Sequence, residues 1–136
     1  MIEKKVINLK SIQEIRKLNP SEQNEFFKNK SIKDLLLYFM EEDYLEEALK
    51  IPSKNIRIIQ QDSIIKKYRI IEKNYIIEIN IHKKVIKHNC LYWMHKCSKR
   101  YTLCKHLGKI FSIIFEEDSK NILKDLILND WNFEVI

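Results

Sequence analysis

The chain has 136 residues, is 45% hydrophobic and carries a formal net charge of +6. That length fits one compact domain, and the apolar content supplies a core, which excludes wholesale disorder. No apolar run approaches a membrane span, and the opening MIEKKVINLK lacks the apolar stretch of a signal peptide, so a cytoplasmic protein with no membrane partner is expected.

The first part, residues 1–52, reads as helical. Ser11-Ile-Gln-Glu14 matches a capping box, with Ile12, Ile15 and Leu18 following at helical spacing. Asn19-Pro20 breaks the chain, and Ser21 starts a second helix with Phe26 and Phe27 on its apolar side. Ser31-Ile-Lys-Asp34 opens a longer helix over residues 31–49, whose apolar stripe is Leu35, Leu36, Phe39, Met40, Tyr44, Leu45 and Ala48. The acids Glu41, Glu42, Asp43, Glu46 and Glu47 gather near its end, as a solvated face or as a docking surface for a protein partner. Pro52 closes this part.

The period changes in residues 53–116. Three β-branched runs, residues 55–60, 63–71 and 75–81, are separated by the polar pairs Gln61-Asp62 and Lys73-Asn74, which suit tight turns. A short strand over residues 85–90 completes an antiparallel meander of three or four strands. Leu107, Ile110, Phe111, Ile114 and Phe115 then repeat at helical spacing. The last part, residues 117–136, holds a helix from Ser119 and an extended tail over residues 131–136. The fold class is therefore α+β in a single domain: N-terminal helices, an antiparallel β-meander, and a cysteine- and histidine-rich module running into C-terminal helices. Gly108, the single glycine, lies one turn into a helix and points to a close backbone contact there, with the meander as the expected neighbour.

That module is HNCLYWMHKCSKRYTLCKH, residues 88–106, which holds all three cysteines and three of the four histidines. An odd number of cysteines in a reducing compartment argues against a disulfide framework and for either a metal or chance, with Cys90 and Cys97 then ordinary small buried residues. His88 and Cys90 stand two apart at a strand end, so both side chains can reach one point. Cys104 and His106 stand two apart just before an amphipathic helix, where a thiolate gains from the positive end of the helix dipole. Two such pairs across a thirteen-residue loop supply the four nitrogen and sulfur ligands of a closed structural zinc site, one ion per chain. Cys97 is the alternative fourth ligand to His88; His95 reads as an exposed loop residue and His82 as a strand residue.

His88-x-Cys90, thirteen residues, then Cys104-x-His106 running into a helix resembles the SWIM-type zinc finger, whose pattern is Cys-x-Cys, a variable loop, then Cys-x-His leading into a helix. The resemblance covers residues 70–116, about a third of the chain, and departs from the family where His88 stands in place of the first cysteine. It implies zinc ligation by Cys90, Cys104 and His106, with imidazole as the remaining ligand.

Residues 79–115 contain no Asp or Glu and eight cations: Lys83, Lys84, Lys87, Lys96, Lys99, Arg100, Lys105 and Lys109. The rest of the chain has 17 basic and 19 acidic residues, so the whole excess sits around the ligands. A one-sided field points to a polyanion partner. Tyr92, Trp93 and Tyr101 interleave with these charges; as stacking faces they would suit unpaired bases, while Trp93 can equally pack beneath the metal. With one glycine there is no phosphate-cradling loop, and four protein ligands leave no open metal position, so neither an enzyme nor a small-molecule substrate is expected. The expected function is non-enzymatic nucleic-acid binding, with structured RNA such as ribosomal RNA favoured. The competing expectation, drawn from the family resemblance, is an interaction adapter of a RecA-like recombinase paralogue in DNA repair.

Overall fold

The computed structural model describes residues 11–136; residues 1–10, on which the signal-peptide reading falls, lie outside the described residues. Among the described residues four short helices come first: α1 (Ile12–Arg16), α2 (Pro20–Phe27), α3 (Ile32–Leu36) and α4 (Glu42–Leu49). After a 3₁₀ turn at Ser53–Asn55 come strands β1 (Ile56–Gln61), β2 (Ile65–Ile70), β3 (Tyr75–Asn80) and β4 (Val85–His88). A π-helical turn at Trp93–Cys97 runs into α5 (Ser98–Arg100), and α6 (Lys105–Ile113), α7 (Glu116–Leu128) and β5 (Asn132–Val135) complete the chain. The protein is α+β.

The first three helices begin where their side chains satisfy the free amides. Ser11, Asn19 and Ser31 each accept a hydrogen bond from the amide three residues on, and Glu14, Glu22 and Asp34 accept one from the cap amide in return. Asn19-Pro20 is thus the cap and first residue of α2, one position ahead of the expected Ser21 start. The helix expected over residues 31–49 is two helices. Glu41, Glu42 and Asp43 are not the acidic end of one helix but the cap and first turn of the next, where negative charge meets the positive helix terminus. The break frees the Phe39 carbonyl to accept from the Leu103 amide at 3.1 Å, which ties this corner to the approach to Cys104. Acids also fill the first turn of α7, which begins at Glu116-Glu117-Asp118, three residues ahead of the expected Ser119. Phe115 falls outside both helices there and is 69% exposed, so it does not belong to the apolar stripe of α6.

The sheet has the order β1-β2-β3-β4-β5. The first four strands form the antiparallel meander, with Tyr68 opposite Ile77 and Ile77 opposite His88. Two of its turns end in left-handed residues, Asn74 (φ 57°) and Lys84 (φ 56°). β5 instead pairs parallel with β4, placing Phe133 beside Ile86 and Val135 beside His88. Parallel neighbours need a long crossover, and residues 89–131, with the whole cysteine- and histidine-rich segment, are that crossover.

Residues from α1, α3, α4, β2, β3, β4, α6 and α7 share one hydrophobic cluster. No helix among the described residues is long and apolar enough to cross a membrane. Gly108 lets α6 lie against α4: a Cβ there would sit 2.9 Å from the Met40 side chain and 3.1 Å from Ala48 Cβ. The close contact is therefore with the helical hairpin rather than the meander. Gly108→Ala gains about 1 kcal/mol of helix propensity and must displace the flexible end of Met40, so its net effect is expected within about 1 kcal/mol of zero. Gly108→Leu cannot be absorbed against Ala48 and should cost about 3 kcal/mol in urea unfolding.

Candidate metal centre

His88 closes β4, and the chain then leaves the sheet. Side chains take over from the ladder in holding this exit to β3. Asn89 Oδ1 accepts from the Ile76 amide at 2.9 Å, and His88 Nδ1 lies 2.6 Å from the Ile76 carbonyl. A carbonyl can only accept, so Nδ1 carries the proton and the lone pair of Nε2 faces inward. Cys90 comes next, at the start of the helical segment 91–100, its sulfur accepting from the Trp93 amide at 3.3 Å. Cys104 is the N-cap residue of α6, and His106 lies in that helix's first turn.

These two pairs meet. One donor atom from each of His88, Cys90, Cys104 and His106 lies within 4.8 Å of all the others, in a group that can hold a metal ion. His88, Cys90 and Cys104 are buried, and His106 is partly so. His88 Nε2 is 3.4 Å from His106 Nδ1, and Cys104 Sγ is 3.9 Å from the same nitrogen. A tetrahedral ion with metal–nitrogen bonds of about 2.0–2.1 Å and metal–sulfur bonds of about 2.3 Å spaces its nitrogens about 3.4 Å apart and its sulfur–nitrogen pairs about 3.6 Å. The two spacings at His106 Nδ1 are close to those that such an ion imposes.

The electrostatics point the same way. The neighbouring Cys104 thiol first, and then the His106 and His88 imidazoles, pull the Cys90 thiol far below its ordinary range against the opposing effect of burial. Burial first, and then the neighbouring Cys90, push Cys104 well above its own. Side by side and buried, the two sulfurs oppose each other's ionisation. A bound dication allows both to ionise.

Cys97 is not in this group. It is fully buried in the π-helical turn, and burial raises its thiol pKa. His82 and His95 are exposed. Trp93 is fully buried, edge-on to His88 with centroids 5.9 Å apart, and its indole N–H donates to the Glu134 carbonyl at 2.8 Å. Tyr101 stacks on Phe133 at 4.6 Å, and Phe133 stacks on Trp93 at 4.9 Å, so β5 is clasped between two rings of the crossover. The Tyr101 hydroxyl also lies 2.8 Å from the Leu126 carbonyl and accepts from the Trp131 amide. Of the three aromatics, only Tyr92 keeps an open face: it is 46% exposed and touches Tyr44 at 5.4 Å.

The cations around the centre are less free than their sequence neighbourhood implies. Lys84 pairs with Asp125 at 2.6 Å, and Lys105 with Glu47 at 3.8 Å. Lys109 reaches the Leu49 carbonyl at the end of α4, and Lys87 lies between Glu78 and Glu134 in the strand register. Lys83, Lys96, Lys99 and Arg100 are exposed and form no ion pair among the described residues. Sequence reasoning missed the Ile76 carbonyl, the Asn89 side chain and Tyr75, whose ring lies 5.5 Å from His106. Asn89 adjoins the candidate ligands in the chain, and only the strand register brings Ile76 and Tyr75 to them. In comparisons with known proteins, no family model, no curated protein and no solved structure matches the chain.

Elemental analysis of the purified protein should give one metal ion per chain. Cys104→Ser and His88→Ala should lose the ion and much of the folding free energy, because binding and folding are coupled. Cys97→Ala should keep the full metal content. Acidification should release the metal as sulfurs and imidazoles take up protons.

Proposed function

We propose that the ion is zinc, that its role is structural, and that the protein is a non-enzymatic binder of nucleic acid. Two sulfurs and two imidazole nitrogens gathered in one largely buried group suit tetrahedral zinc, which would leave no position open to a substrate. The strands before the first ligand pair and the helix after the second agree with the SWIM-type arrangement that the ligand spacing resembles.

The observation that carries the functional reading is the segment between the two pairs. Residues 91–103 are tethered at both ends by candidate ligands and present Lys96, Lys99 and Arg100, all exposed, beside the open ring of Tyr92. A fixed frame with unpaired cations and one stacking surface is what phosphate contacts and an unstacked base require. Structured RNA is the favoured partner. Only Ser112 of α6 is exposed, so that helix offers little surface to the major groove of duplex DNA. A ribosomal particle is the first place to look for it.

The test is binding of the full chain to a structured RNA across a salt series. Three or four phosphate contacts predict a slope of log K against log salt of roughly −2 to −3. Reversing Lys96, Lys99 and Arg100 to Glu should flatten that slope and weaken binding far more than reversing Lys17, Lys28 and Lys54, which are exposed in the N-terminal part and the turn after it. A slope near zero, or equal effects of the two sets, refutes the reading. Co-purification with a recombinase-like ATPase that survives nuclease would favour the adapter instead.

A further inference from the structure

A groove of about 880 Å³ runs between the α3–α4 corner and the segment after Cys90. Phe39, Met40 and Leu103 in its lining are buried, and its accessible apolar surface comes from Leu37 and the rings of Tyr38, Tyr44 and Tyr92. Glu41, Glu42 and Asp43 line it from the start of α4, and Lys96 and Arg100 line it from the opposite segment. The hydrogen bond from the Leu103 amide to the Phe39 carbonyl and the Tyr44–Tyr92 ring contact hold the two sides together. No ion pair among the described residues joins the three acids to the two cations. The groove is an apolar trough with a negative flank and a positive flank, each uncompensated by the other.

We propose that this groove docks an amphipathic helix of a partner protein. The apolar stripe of that helix lies in the trough, Lys or Arg residues along one side face Glu41, Glu42 and Asp43, and acidic residues along the other side face Lys96 and Arg100. The chemistry selects this occupant. A nucleic-acid strand would bring phosphates against three carboxylates, which repel them. A partner strand finds no sheet edge, because the lining residues belong to helices, turns and the crossover rather than to β1 or β5. A helix needs only an apolar trough and complementary flanks. The inference goes beyond nucleic-acid binding through its acidic flank but shares Lys96, Arg100 and Tyr92 with that reading, so a docked helix and a bound strand exclude each other on that flank.

The experiment is selection from a displayed library of helical peptides on the full-length, metal-loaded protein at low salt, with counter-selection on Glu41→Lys/Glu42→Lys/Asp43→Lys. Selected peptides should carry apolar residues at i, i+3 or i+4, and i+7, with Lys or Arg on one flank and acids on the other. A labelled winner should bind the triple variant about tenfold more weakly, the sum expected of three rim pairs. The same peptide with its charged flanks exchanged should prefer the variant. Because the three acids also support the start of α4, Glu42→Gln/Asp43→Asn, which keeps side-chain oxygens there, serves as a milder second variant and should weaken binding about threefold. Selection of no peptide, or of peptides that bind wild type and both variants alike, overturns the proposal. Dimerisation of the chain that is lost in the triple variant also overturns it, by giving the groove to a second copy.

Discussion

Burying two thiols beside two imidazoles is costly unless their charge is shared or cancelled, and much of the surrounding structure is organised by that cost. The four groups come from a strand end and a helix start that are far from each other in the chain and adjacent in space. Each of three is oriented from outside the group: His88 by the Ile76 carbonyl, the Cys90 sulfur by the Trp93 amide, Cys104 by its place at the head of α6. An imidazole held in one tautomer and a sulfur fixed by a backbone amide have little freedom left to lose. This is the preorganisation that a closed metal site needs.

From that point the crossover is strung in both directions. The segment after Cys90 winds into a π-helical turn that puts Trp93 against His88, and Tyr101 is the second ring closing on Phe133. β5 is thus held by its backbone pairing with β4 and by two aromatic faces from the crossover itself. The Leu103–Phe39 hydrogen bond joins the same segment to the helical hairpin, where α6 lies against α4 at Gly108. One polar cluster, one aromatic stack and one close helix contact connect the three parts of the chain.

The charge pattern shows how sequence and space part company. Along the chain, 37 consecutive residues carry cations and no acids. In space, Asp125, Glu47, Glu78 and Glu134 stand beside the backbones or side chains of Lys84, Lys105 and Lys87, and Glu41, Glu42 and Asp43 face Lys96 and Arg100 across a groove. The effective basic surface shrinks to Lys83, Lys96, Lys99 and Arg100. An acid-free stretch of sequence is a statement about neighbours along the chain, and electrostatic energy depends on neighbours within a Debye length of about 8–10 Å.

What could be read from the sequence is what short-range physics determines. Capping at Ser11, Asn19 and Ser31 involves residues three apart, and β-branched alternation marks the meander because a strand's two faces repeat every second residue. The two ligand pairs were legible for the same reason, each spanning three residues of known donor chemistry. The break at residues 37–41 was not, since no glycine or proline marks it and the apolar spacing runs through it. Neither was the choice of His88 over Cys97 as the residue beside the other three donors. That was decided by the register that sets Ile77 opposite His88 and by the turn that buries Cys97 elsewhere. The parallel place of β5, the partners of Lys84 and Lys105, and the groove also belong to the tertiary structure. They rest on contacts such as Lys84 with Asp125, 41 residues apart, and the Lys105 amide with the Tyr44 hydroxyl, 61 apart. Local periodicity carries no information about such pairs, because their energy exists only once the chain has closed on itself.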